Sequence, residues 1–110
     1  MEFTKSERKQ LRELASSVYE AEAHDLLTVL DAEFGRWRNG ECHSSEPLGA
    51  IHEFHQQQSR ELWSIYQGLS DAMVVERGLA LGLIAESRVP AAILTKLRTV
   101  PSSADEQSHP

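Results

Sequence analysis

The chain has 110 residues, 40% hydrophobic and 25% charged, and its 17 acidic against 11 basic residues leave a formal charge of −6. That length supports one core and excludes large multi-domain enzymes; Cys42, the single cysteine, excludes an intrachain disulfide or a multi-cysteine metal site and points to a reducing compartment. The acidic balance disfavours broad adsorption to nucleic acid or anionic membrane, since both need clustered positive charge.

The opening residues 1–7 lack an apolar signal-peptide core. Thr4 and Glu7 instead form a capping-box pattern, in which the hydroxyl and the carboxylate satisfy backbone N–H groups of a first helical turn. From there Leu11, Leu14, Ala15, Val18, Tyr19, Leu26, Val29, Leu30 and Trp37 recur every three or four residues up to Asn39-Gly40, a C-terminal stop. The spacing predicts one helix over residues 5–38, about 50 Å long at ~1.5 Å per residue, with His24-Asp25 or Gly35 as places for a bend. Lys5, Arg8, Lys9 and Arg12 gather near one of its faces; this basic patch is read as a solvated face, or as a contact for a phosphate-bearing partner.

Residues 39–45 form a polar connection, and Ser45 before Glu46-Pro47 opens a second helix, proline being tolerated in a first turn. This helix reaches about Gln56 and carries Leu48, Ile51, Phe54 and His55 inward. Ser59 or a neighbour opens a third, with Leu62, Trp63, Ile65, Tyr66 and Leu69; the pattern leaves open whether the two are continuous. Ser70-Asp71 caps a fourth helix over residues 72–86, apolar on most of its circumference, in which Gly78, Ala80 and Gly82 permit close backbone approach. Pro90 opens a last helix to about Arg98, followed by a polar tail. The expectation is an all-α fold, a compact bundle of four to five helices with a long N-terminal helix, as one domain over residues 1–98 with a mobile tail over 99–110. The longest apolar run, residues 79–85, falls far short of the ~20 residues of a membrane span, and a cytoplasmic protein is expected.

The candidate functional residues are ionisable groups at positions where the helical period calls for burial, because an unpaired buried charge is costly. Glu22 and Glu33 share the stripe of Leu11, Ala15, Leu26 and Val29, with Asp25 at its edge. Arg77 shares a face with Met73, Ala80, Leu81 and Ile84, while Glu76 points elsewhere. An ion pair between Arg77 and Glu22 or Glu33 follows as a register device; an anion-binding arginine, or simple exposure, are the other readings. His52 and His55 lie one turn apart. With Glu22 they compose a candidate divalent-metal set, for instance for zinc, to which Glu33, Cys42 and His43 are possible additions. The string His52-Glu53-Phe54-His55 is not the His-Glu-x-x-His of metalloproteases. Hydrogen-bonded structural histidines are the competing reading, with pH sensing or acid–base chemistry beside it. No Gly-rich phosphate loop or Gly-x-Ser-x-Gly elbow occurs. Trp37, Trp63, Tyr19 and Tyr66 read as core and interface aromatics rather than a base-stacking surface.

Thr4-Lys5-x-Glu7-Arg8-Lys9-x-Leu11-Arg12-Glu13-Leu14-Ala15, Tyr19-Glu20-x-Glu22, Ile51-His52-Glu53-Phe54-His55 and Arg60-Glu61-Leu62 together resemble a family of small all-helical bacterial proteins of unknown function, over most of residues 4–98. The resemblance implies the helical fold and draws attention to Tyr19, Glu22, His52, His55 and Arg60, without an activity. It also implies a Gly-Pro turn after the histidine pair, where this chain has Gln57-Gln58. The role expected is a non-enzymatic protein-interaction module, a homodimer or partner-binding subunit. The alternative is a metal-dependent or acid–base helical-bundle enzyme centred on His52, His55 and Glu22.

Overall fold

The computed structural model describes residues 2–99, which are largely helical and contain no strand. Helix α1 spans Lys5–Arg38, the bounds that its capping and periodicity predict. The capping box is present: the Thr4 amide donates to Glu7 Oε1 at 2.8 Å and the Glu7 amide to Thr4 Oγ1 at 3.1 Å. At the other end Gly40 takes φ +75°, and Glu41 N–H and Gly40 N–H close on the Arg36 and Trp37 carbonyls in a Schellman motif. Helix α2 (Ser45–Glu53), a π turn (Phe54–Gln58) and helix α3 (Ser59–Gln67) follow as one uninterrupted run. The Gly-Pro-type break is absent; Gln57 and Gln58 lie inside the π turn, where Ser59 N–H reaches back five residues to the Phe54 carbonyl. The remaining elements are α4 (Asp71–Leu81), a 3₁₀ turn (Glu86–Arg88) and α5 (Ala91–Thr99).

The predicted fourth helix is too long by five residues. Gly82 takes φ +73°, and Leu83 N–H donates to the Gly78 carbonyl at 2.8 Å and Gly82 N–H to that of Leu79 at 3.3 Å, a second Schellman stop. Gly82 is therefore the end of the helix and not a packing device inside it. Helix α5 runs one residue past the predicted end, and the tail expected beyond it lies, from residue 100 on, outside the described residues.

The chain divides into two compact units. One takes α1 up to Val18 and the chain from Asp71 on; the other runs from Tyr19 to Ser70. Among the described residues the buried apolar side chains other than Pro47 belong to the first unit: Leu11, Leu14, Ala15 and Val18 on α1, Val74 and Val75 on α4, Ile84 and Val89 in the connection, Ile93 and Leu97 on α5. Val18, Val75 and Ile93 are fully buried. Gly78 is buried against Val18, whose methyl groups occupy the space a β-carbon at position 78 would need. The N-terminus is tied to α5 by Lys96, which donates to Glu7 Oε1 and lies 5.7 Å from the Phe3 ring centroid. Lys96 and the Thr4 amide hold the Glu7 carboxyl below its ordinary pKa. Burial does the opposite to Glu76 on α4, raising its pKa.

The second unit is a helical hairpin: α1 from Tyr19 on, the loop through His43, and the α2–α3 run. Its strands of helix are antiparallel, for Trp37 Nε1–H donates to Ser44 Oγ at 2.9 Å at the loop end and Tyr66 O–H donates to Glu22 Oε1 at 2.6 Å at the other. The Tyr19 and Tyr66 rings meet edge to face, 5.0 Å apart. Among the described residues of the hairpin, Pro47 alone is buried.

Candidate interaction surface on the helical hairpin

The inner face of the α2–α3 run is marked by the positions with least exposure: Pro47, Ala50, Phe54, Ser59, Leu62, Tyr66. Their spacings are three, four, five, three and four. In a plain α-helix the step of five would rotate everything after it by about 100°. The π turn falls on that step and absorbs the extra residue, so one stripe faces α1 along the whole run.

The same phase leaves two other stripes uncovered. Leu48, Ile51 and Trp63 align on one side with exposures of 66%, 44% and 62%, contrary to the inward placement predicted for Leu48 and Ile51. Across a groove of about 220 Å³ lined by Phe34, Trp37, Ser44, Pro47, Leu48 and Ile51, this stripe continues onto α1. Leu27 and Trp37 extend it there, both exposed. On the opposite side Glu46, Glu53 and Glu61 align, and Glu46 and Glu53 share a cleft of about 520 Å³ with Val29, Leu30 and Glu33. The side of Leu48, Ile51 and Trp63 also carries His55 and Arg60, and the side of the three glutamates also exposes Val29 and Ile65, so one side is richer in large apolar residues and the other in carboxylates. The hairpin carries nine Asp and Glu against three Arg and no Lys, the whole formal −6 of the chain, while the rest is balanced.

The expected site residues fall into this frame as follows. Glu22 is half-buried, as its position in the apolar stripe predicts, and receives the Tyr66 phenol, a partner that sequence spacing does not single out. Glu33 is half-buried and paired with Arg36 one turn on, at 3.3 Å; its charge holds the Arg36 pKa above the ordinary value. Arg77 is half-buried on α4, but Met73, Ala80 and Leu81 of its predicted face are exposed, the buried face being Val74, Val75 and Gly78. His52 and His55 are both exposed; the inward placement of His55 fails because the inner stripe runs one position before it, through Phe54. Among the described residues no group of three or more His, Cys, Asp or Glu side chains is arranged to hold a metal ion. The His52, His55 and Glu22 set therefore does not converge. Partial burial and the Glu46 carboxylate raise the Cys42 pKa, keeping it a thiol at neutral pH rather than a nucleophilic thiolate. Lys5, Arg8, Lys9 and Arg12 are all exposed, and Arg8 donates to the Phe3 carbonyl at 2.7 Å. Among the described residues no helix is long and apolar enough to cross a membrane.

In comparison with known proteins, the chain matches no family model, no curated protein and no solved structure. The assignment of a role rests on the geometry.

Proposed function

We propose that the protein is a non-enzymatic interaction module whose docking surface is the apolar face of the hairpin, acting as a homodimer or as the binding subunit of a partner protein. One observation carries this reading. The first unit has a core around the fully buried Val18, Val75 and Ile93 and exposes Met73 and Leu81, whereas the hairpin, in which Pro47 alone is buried among the described residues, leaves Leu48, Ile51 and Trp63 in line on its surface with Trp37 and Leu27 beside them. Two helices can cover only one stripe of each other; a second apolar stripe on the same helix is covered when further helices complete a bundle. Tryptophan in such a stripe suits an interface anchor, being large and low in conformational entropy. The free Cys42 accords with a cytoplasmic, reducing setting.

A photoreactive phenylalanine analogue at position 63, introduced in the cells that make the protein, tests this. A single defined cross-linked species is expected, lost on Leu48→Ser/Ile51→Ser substitution and absent when the analogue stands at the exposed position 88. Equal cross-linking from both positions, or none from position 63, refutes the docking surface.

A further inference from the structure

We infer that the occupant of the apolar face is a second copy of this chain, two hairpins pairing face to face into a four-helix arrangement about a two-fold axis. This rests on the reading of that face as a docking surface and adds the identity of the partner.

Three features of the hairpin fit self-pairing. The first is where the charge lies. The acidic stripe of Glu46, Glu53 and Glu61 is on the side of the α2–α3 run away from Leu48, Ile51 and Trp63. When two apolar faces meet, those carboxylates point outward, where water and salt screen them. The groove between the two helices holds no ionised group, its lining being apolar apart from Ser44, so the centre of the face can be covered without burying a charge.

The second is the border of the face. On α1, Asp31 lies one turn after Leu27 and Glu20 two turns before it; on α3, Arg60 lies one turn before Trp63, and all three are exposed. Exposed Arg38, two turns after Asp31, shares that α1 line, which is thus acidic by one charge, while Arg60 lies in line with Ile51 and Trp63 on the facing side. A two-fold operation that lays α1 of one copy against α3 of the other sets Arg60 opposite the acidic edge twice, which is the self-complementarity an isologous interface requires. A partner bearing a uniformly basic or acidic edge would satisfy only one of the two borders.

The third is area. Leu27, Trp37, Leu48, Ile51 and Trp63 together expose roughly 500 Å² of side chain, taking large apolar residues at about 150–250 Å² each. Doubled by symmetry, and with the polar border added, this reaches the ~1,200 Å² at which specific interfaces begin.

Sedimentation velocity of the full chain, over concentrations up to the order of 100 μM, tests the inference. Twice the chain mass is expected, reverting to one chain mass in Leu48→Asp/Ile51→Asp. Because that variant places charges beside the hairpin core, a milder arm accompanies it: Arg60→Glu, expected to weaken dimerisation about two- to tenfold, with recovery in Arg60→Glu/Asp31→Arg and unchanged helix content by circular dichroism. A single chain mass at every concentration overturns the second-copy occupant. If the position-63 cross-link to a different protein still forms in that case, the docking surface stands and this inference alone falls. A dimer that survives Leu48→Asp/Ile51→Asp with full helix content places the interface elsewhere and overturns it as well.

Discussion

Gly78 lies directly on Val18, so close that the two valine methyl groups fill the volume a β-carbon on residue 78 would take. Gly78→Ala sets two effects against each other. Alanine gains about 1 kcal/mol of helix propensity, and overpacking a fully buried contact loses about 1–3 kcal/mol. A net destabilisation of up to about 2 kcal/mol is expected in urea unfolding. Val18→Ala in the same chain should relieve it, the double variant being less destabilised than the sum of the two singles. A Gly78→Ala chain more stable than the parent would show that the helices are not in this contact.

Glu7 and Glu76 belong to the same unit and respond oppositely to acid. Glu7 has its pKa lowered by Lys96 and by the Thr4 amide, so its stabilisation is present above the ordinary carboxyl pKa and is lost as pH falls through the lowered value. Glu76 has its pKa raised by burial, so its ionised form opposes folding above that raised value, and the penalty disappears as pH falls below the ordinary one. In melts at neutral pH, Glu7→Gln is expected to lower Tm and Glu76→Gln to raise it. Both differences from the parent should close in strong acid. A Glu76→Gln effect of the same sign as Glu7→Gln would refute the burial of the carboxyl.

Removing the Tyr66 hydroxyl separates its hydrogen bond from its ring contact. Tyr66→Phe keeps the edge-to-face packing on Tyr19 and leaves Glu22 without its phenol donor. The expected loss is about 1 kcal/mol, less than for a fully buried hydrogen bond to a charged group because both residues are half-buried. Tyr66→Ala should lose clearly more; equal losses would mean that the rings contribute nothing.

The π turn makes a deletion test possible. Deleting Gln57 turns the step of five into a step of four, which a plain α-helix accommodates, so Pro47, Phe54, Leu62 and Tyr66 keep their common face. Deleting Ser64 instead rotates Tyr66 by about 100° away from Glu22. The Gln57 deletion is expected to melt within a few degrees of the parent and the Ser64 deletion well below it. The reverse order would dismiss the account of the phase.

Long-helix features were readable where the signals are local. The Thr4 and Glu7 capping box and Gly40 bracket α1 at the bounds found, since both stops act within a few residues. Gly82 misled because the same residue type serves close packing and left-handed helix ends, and only its φ distinguishes them. Leu48, Ile51 and His55 were phased one position off because Pro47, Ala50 and Phe54 repeat with the same spacings of three and four, and hydrophobicity alone favours the stripe that holds Leu48 and Ile51. Glu22 was found from burial of a charge in an apolar stripe, whereas its Tyr66 donor, 44 positions away, and the Glu7 partner Lys96, 89 positions away, leave no periodic trace.

The unit that holds the core is written in two pieces of chain, with the hairpin inserted between Val18 and Asp71. Its defining contacts, such as Gly78 on Val18, must therefore close a long loop during folding, and the entropy of that closure rises with the length of slack chain. A hairpin that zips early from its own turn takes up most of that slack. The element without a buried core of its own thus acts as an internal brace for folding kinetics: substitutions that unzip it should slow refolding of a core they never touch.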